Sequence, residues 1–236
     1  MVCLFTRSAH LYDLLHAHKD YAGETARLRQ VIAEQKHSTG HNLLEVACGT
    51  GRYLELLQPH FRVAGLDLDP AMLTLATDRL PGVPLYQGDM TDFALEQRYD
   101  VVVCLFGSIA YVRYPALLRQ AVAAMARHTV PGGLVIVEPW LGPDQALPGH
   151  VGAVFINQPD LKVARMRVSR IEEHLSILDF HYLVATPSGV EHFTERHELG
   201  IFTAATYRAA FEAAELQPWH DPYGLSGWGL FGAVRP

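Results

Sequence analysis

Between Leu43 and Glu138, short runs of apolar and β-branched residues alternate with segments whose apolar residues recur every three or four positions. The alternation leaves few folds open, because each short run is apolar on both sides and needs cover on both faces. Leu43 to Val46 reads as a first strand, Gly49 to Gly51 as a turn and Tyr53 to Leu57 as the helix behind it. Phe61 to Leu66 is the next strand, and Asp69-Pro70 starts a helix with proline at its first position, continued by the apolar stripe of Ala71 to Leu80. Pro84 to Gln87, Tyr99 to Phe106 and Leu134 to Glu138 read as further strands, with a helix over Pro115 to Arg127 and a Pro131-Gly132-Gly133 turn. The predicted fold class is α/β, a parallel sheet with helices on both faces.

Two regions stand outside this cycle. Ser8 to Gln35 carries helical periodicity, with Gly23 as the expected break between two segments. From Leu141 to Gly200 the alternation stops, and Val163 to Ile171, Ser176 to Ala185 and Gly189 to His197 read as an antiparallel meander. Phe202 to Ala214 is again helical, and Gly224 to Gly232 leads into a last short strand. The expected division is a helical cover and core over 1–140, a β insertion over 141–200, and a return to the core sheet over 201–236.

Composition excludes some partners. Lys and Arg number 19 against 25 Asp and Glu, a net charge of −6, so no global positive field exists and nucleic acid is not an expected partner. Cys3, Cys48 and Cys104 have no C-x-x-C spacing, so neither a disulfide framework nor a zinc site is expected, no metal is assigned, and a reducing cytoplasm fits. The longest apolar runs, Val101 to Phe106 and Ala121 to Ala126, fall far short of the ~20 residues of a membrane span. Met1 to Phe5 lacks the basic flank and length of a signal peptide. A small-molecule substrate and a monomer or homodimer are the expected partners.

The chemistry concentrates at strand exits. Glu45-Val46-Ala47-Cys48-Gly49-Thr50-Gly51 leaves the first strand and enters a helix, and its glycines let a ligand approach the backbone; a plain glycine turn is the alternative. Asp67 ends the second strand, where a carboxylate accepts both ribose hydroxyl protons in a doubly wound sheet. Leu54 stands where the dinucleotide fingerprint G-x-G-x-x-G would need its third glycine, which disfavours NAD. Gly88-Asp89-Met90 offers an acceptor for an exocyclic amine and a polarisable side chain for a base. Glu138, at a strand's carboxyl end, is either a substrate carboxylate or a loop charge.

In order and spacing, Glu45 to Gly51, Asp67, Gly88 to Met90 and Phe106 to Ser108 resemble the S-adenosylmethionine-dependent methyltransferases of the Rossmann-like class. The resemblance implies a seven-stranded Rossmann-like sheet of order 3-2-1-4-5-7-6 with the seventh strand antiparallel, and S-adenosyl-L-methionine as cofactor. It would set Ala47, Gly49 and Gly51 at the cofactor's methionine part, Asp67 and Leu68 at the ribose, Asp89 and Met90 at the adenine, and the backbone of Leu105 and Phe106 at the ammonium.

A narrower resemblance rests on Leu11-Tyr12-Asp13-Leu14, Lys19-Asp20-Tyr21, Gln87-Gly88-Asp89-Met90, Val137-Glu138-Pro139-Trp140 and Leu225-Ser226-Gly227-Trp228-Gly229-Leu230-Phe231, together with the glycine loop. These are similar to the bacterial N,N-dimethyltransferases of dTDP-linked amino sugars. By that resemblance Tyr21 would contact the cofactor's carboxylate end and Tyr12 would close the pocket. The insertion would form the platform over the sugar, with Trp140 among the substrate contacts. Trp228 replaces an arginine of that family, and Leu4 or Phe5 replaces a tyrosine, while Tyr111 agrees with it.

Lys162, Arg165, Arg167 and Arg170 lie close together in the insertion, and Arg165 and Arg167 share one strand face, where they can pair with phosphates or simply be solvated. Methyl transfer to a neutral amine needs alignment and only a weak proton acceptor, for which Tyr111 or a nearby histidine suffices. Of His181, His192 and His197 in the insertion, His181 is taken with Tyr111 as the expected catalytic pair. The alternatives to an amino-sugar N-methyltransferase are a methyltransferase of another small amine or hydroxyl, and a non-catalytic nucleotide-binding module.

Overall fold

The computed structural model describes Phe5 and residues 7–236, so Cys3 and Leu4 lie outside the described residues. After a 3-10 turn over Ala9–Leu11 come α1 (Tyr12–Leu15) and α2 (Tyr21–Gln35). Then β1 (Asn42–Val46), α3 (Arg52–Leu57), β2 (Arg62–Asp67), α4 (Pro70–Arg79), β3 (Leu85–Gln87), β4 (Tyr99–Cys104), α5 (Pro115–Arg127) and β5 (Thr129–Val137) run in alternation. Four long strands follow, β6 (Val151–Gln158), β7 (Leu161–Glu172), β8 (Leu175–Thr186) and β9 (Gly189–Gly200), before α6 (Ala204–Glu212), β10 (Trp219–Asp221) and β11 (Leu230–Val234).

One sheet has seven strands in the order β10-β11-β5-β4-β1-β2-β3. β11 runs antiparallel to both β5 and β10, whereas β1, β2, β3, β4 and β5 pair in parallel. This is the 3-2-1-4-5-7-6 order of the Rossmann-like methyltransferases. Successive strand residues feed two separate cores. Leu43, Val101, Val103, Leu134 and Ile136 join Leu28, Ile32 and Leu54 of α2 and α3 on one face. Leu44, Val102, Cys104, Val135 and Val137 join Leu118, Val122 and Phe211 of α5 and α6 on the other. Period-two alternation between two buried faces is why these strands are apolar throughout.

Beside the glycine loop no space is spare. A Cβ on Gly65 of β2 would lie 2.7 Å from Cys48 Sγ and 2.8 Å from the methyl groups of Leu54 and Leu85. Gly65→Val is therefore expected to lower stability by about 3 kcal/mol through overpacking. Differential scanning calorimetry should register it as a fall in Tm of several degrees.

β6 to β9 form a separate antiparallel sheet, paired in sequence order. Its inner face carries Val163, Leu178, Phe180, Tyr182, Val184, Phe193 and Leu199, packed with Leu11 and Leu15 of the N-terminal helical segment. The sequence pattern marked three of its four strands. β6 escaped because it contains Gly152, ends in Asn157-Gln158, and is an edge strand whose Val151 and Phe155 face solvent. Gly23 marks no break: it sits inside α2, and its amide donates to the N-cap Asp20 at 2.9 Å. The true break lies between α1 and α2, where Asp20 caps the new helix, and a Cβ at residue 23 would require the capping carboxylate to shift.

Candidate active site

A cavity of about 430 Å³ opens at the carboxyl ends of β1, β2 and β4, under the inner face of the second sheet. Open α/β sheets gather ligands at this edge, where strand order reverses about β1. Two non-glycine residues there hold left-handed backbone, Ala47 (φ 59°) after β1 and Phe106 (φ 54°) after β4, and both line the cavity. Such strain persists at binding sites where the surroundings enforce it. Phe106 also ends β4 two residues earlier than its apolar run predicts.

The glycine loop is built around Asp67. Its Oδ2 accepts the Gly49 amide at 2.7 Å and its Oδ1 the Asp69 amide at 2.9 Å. Burial pushes the Asp67 carboxyl above the usual carboxylate range, against the lowering effect of these backbone donors. Gly49 has φ +54° and nothing within 4 Å of where a Cβ would stand, so that space is left to a ligand. Thr50 donates to Asp13 of α1 at 2.7 Å, and Arg79 of α4 pairs with the same carboxylate, which fastens the N-terminal segment over the loop. The Phe5 amide donates to Asp69 at 3.2 Å, closing that side.

Of the residues named from the sequence, Tyr12, Ala47, Gly49, Asp67, Leu68, Met90, Phe106, Tyr111, Trp140, Arg165, Arg167 and Trp228 meet around this one cavity. The others stand elsewhere. Gly51 is the left-handed N-cap of α3, where a Cβ would strike Leu80, so it serves packing. Tyr21 is buried edge-on against Tyr53 behind the loop. Asp89 turns Oδ1 to the amide and hydroxyl of Thr91, and Leu105 is a core residue. Glu138 is fully buried, with one oxygen accepting the Phe106 amide at 2.6 Å and the other the Ser226 hydroxyl at 2.6 Å. It is not among the residues that line the cavity.

His181 is exposed on the outer face of β8, with its Nδ1 3.4 Å from His192 Nε2. The reason is strand parity: Phe180 and Tyr182 point inward, so the residue between them points out. His197, 2% exposed, is the histidine on the inner face, and its Nδ1 is 2.7 Å from the Tyr111 hydroxyl. The same parity along β9, where Phe193 and Leu199 are buried, was the signal that separates the two histidines. His16, four residues after Tyr12 on the same helical face, also lines the cavity. Burial lowers its pKa to about 4, so it is neutral.

The far wall is aromatic and basic. Trp228 stacks on Phe106 at 5.7 Å and meets Trp140 edge-on at 4.8 Å. Arg165 lies over the Phe180 ring, 4.8 Å from its centroid. Arg167 donates to Ser169 at 2.8 Å in the space left by Gly152, whose Cβ would come within 3.0 Å of Arg167 Nε. Outward Arg170 is paired with Asp179 at 2.5 Å, whereas the two inward guanidinium groups have no salt-bridge partner among the described residues. Lys162 points outward and is spent on Asn157 and Gln158.

Fold and site together define a methyltransferase of the Rossmann-like class, and residues 43–133 match the family model of a methyltransferase domain. The chain is 40% identical, over 96% of its length and 97% of the relative, to a dTDP-3-amino-3,4,6-trideoxy-alpha-D-glucopyranose N,N-dimethyltransferase of Streptomyces venezuelae. It is 36% identical, over 96% of its length and 92% of the relative, to a dTDP-4-amino-2,3,4,6-tetradeoxy-D-glucose N,N-dimethyltransferase of Saccharopolyspora spinosa. The S-adenosylmethionine-bound structure of CalS10, an amino pentose methyltransferase from Micromonospora echinaspora involved in calicheamicin biosynthesis, superimposes with a TM-score of 0.85 at 35% identity, covering 97% of each chain.

The chain belongs to the family of the dTDP-amino-sugar N,N-dimethyltransferases. Its cofactor is S-adenosyl-L-methionine. The residues present fit that group: a cradle kept open by Gly49, an acidic strand end at Asp67 for the ribose, and Met90 in the wall for the base.

Proposed function

We propose that this chain methylates the amino group of a nucleotide-linked amino sugar, with the sugar under the second sheet and the diphosphate at Arg165 and Arg167. The observation that carries the acceptor is this inward pair of half-buried guanidinium groups, which line the same cavity as the glycine loop and have no salt-bridge partner among the described residues. Burial, and then the charge of Arg165, lowers the pKa of Arg167, so the two cations lie close enough to feel one another. A diphosphate answers both with bidentate hydrogen bonds.

S-adenosyl-L-methionine, when bound, supplies an electrophilic methyl group on a sulfonium whose leaving group needs no acid. Within the chain, the work left to the residues is placement and removal of one proton. Asp67, Gly49 and the strained Ala47 and Phe106 backbone fix one reactant, and Arg165, Arg167 and the Trp140 and Trp228 rings fix the other. Tyr111, between them on the wall, stands as the amine's hydrogen-bond partner; burial holds its hydroxyl well above the ordinary phenol range, so it acts as a neutral group.

Trp228 favours a second reading, an amine acceptor without a nucleotide, because the stacked indole offers a surface to an aromatic or sugar face and no charge to a phosphate. One panel separates the two. Incubation with S-adenosylmethionine and dTDP-linked 3-amino and 4-amino sugars is expected to add one and then two methyl masses. Free amino sugars and aromatic amines should remain unmodified. Turnover of those alone would replace the nucleotide reading with the second.

A further inference from the structure

Tyr111 is backed by a buried polar chain that the alignment of reactants does not use. Its hydroxyl is 2.7 Å from His197 Nδ1. On the other side of the ring, His197 Nε2 is 3.8 Å from Glu195 Oε2 and has no hydrogen-bond partner among the described residues. Glu195 is anchored by the N-terminal segment, with the Ser8 hydroxyl donating at 2.6 Å and the Ser8 amide at 3.2 Å. Phe5 and Phe180 close edge-on over the imidazole at 4.9 and 5.1 Å.

We propose that His197 takes up the proton released in amine methylation, acting through Tyr111 with Glu195 as counter-charge. The inference rests on the N-methylation reading above. An amino sugar enters largely as an ammonium, and after each transfer the nitrogen is again an ammonium, so a proton must leave before each attack. In the relay the N–H donates its proton to Tyr111 Oη while the Tyr111 O–H proton passes to His197 Nδ1. The tyrosine stays neutral, the amine gains a free lone pair, and His197 becomes an imidazolium facing Glu195. In each transfer that lone pair forms the C–N bond as the C–S electron pair departs with sulfur.

The surrounding groups favour this direction. Facing the pair are Glu195 on β9, Tyr182 on β8, Arg165 on β7, Asp67 at the end of β2 and Ser8 of the N-terminal segment. Burial alone would raise the Glu195 carboxyl, but the two hydrogen bonds from Ser8 and the facing His197 ring outweigh it and leave it below the ordinary range, ready to hold an imidazolium. Arg165 opposes an additional positive charge, with the Phe180 ring lying against its guanidinium.

The relay requires an unprotonated Nδ1 and a protonated Nε2 on His197 in the resting protein. Long-range 15N–1H correlation spectra of the wild type should show that tautomer, and a protonated Nδ1 would overturn the proposal. In the second measurement, His197→Asn keeps an acceptor for the Tyr111 hydroxyl but cannot take the proton. With dTDP-amino sugar it is expected to lose at least about tenfold in kcat at pH 7, with little change in KM. Its pH–rate profile should rise only about one unit or more above that of the wild type, and monomethylated product should accumulate. S-adenosylhomocysteine affinity should stay unchanged, and Tyr111→Phe added to His197→Asn should cost little more than either alone, since the two act as a unit. A variant with the wild-type kcat and pH profile would refute the relay. If the wild type itself methylates no amine, the functional reading fails and the relay with it, whatever tautomer is seen.

Discussion

Asp67→Ala is expected to weaken S-adenosylhomocysteine binding by about two orders of magnitude or more, read by titration calorimetry. A buried carboxylate offers about four lone-pair sites. The amides of Gly49, Asp69 and Leu68 take part of that capacity, and the carboxylate lines the cavity, where its remaining acceptor capacity would serve a ribose diol. Hydrogen bonds to a charged group are worth about 1.5–3 kcal/mol each, so two lost bonds amount to roughly 3 kcal/mol or more. The variant also frees the Gly49 amide, loosening the turn that Ala47 and Gly49 hold in left-handed backbone. Asp67→Asn keeps one acceptor oxygen and should fall between the two. Because burial raises the Asp67 carboxyl, wild-type affinity should decline as pH falls, and should begin to do so at a higher pH than an ordinary aspartate would set. Undiminished binding by a folded Asp67→Ala would remove the carboxylate from the cofactor site.

The paired change Arg165→Ala and Arg167→Ala is expected to raise KM for a dTDP-amino sugar by about two orders of magnitude, with S-adenosylhomocysteine affinity preserved. Each guanidinium contributes charge-assisted hydrogen bonds in a half-buried wall where water competes poorly. Replacement by two lysines should restore part of the affinity only, since a point charge cannot reproduce the planar fork. Raising ionic strength should increase KM in the wild type and leave the alanine variant less affected. A KM unchanged by the double substitution would mean that the arginines are a solvated face and that Trp228 belongs to a site without a phosphate.

These two sets of residues differ in how readable they were. The glycine loop, Asp67 and the helix start at Asp69-Pro70 are local: strand, turn and cap follow one another within a few residues, and backbone sterics fix what they do. The parity of β8 and β9 was also written in the chain, since Leu178, Phe180, Tyr182 and Val184 alternate inward and leave His181 outside. Reading the histidines by residue type alone selected the wrong one for the cavity. Glu138 shows the opposite limit. Its place at a strand end was legible, but the two donors that hold it come from Phe106 and Ser226, far away along the chain.

By itself the sequence determined the alternation of strands and helices in the core, the two-faced burial of the central strands and the methyltransferase loop, because periodicity and glycine placement act over short spans. Only the tertiary structure decided which groups meet. It set Tyr111 against His197, Glu195 against Ser8, and Arg165 and Arg167 in the wall of the cavity that the glycine loop also lines. Such pairings depend on strand register and on how one sheet lies over the edge of another, and a one-residue slip would turn Arg165 and Arg167, or Glu195 and His197, to the other face.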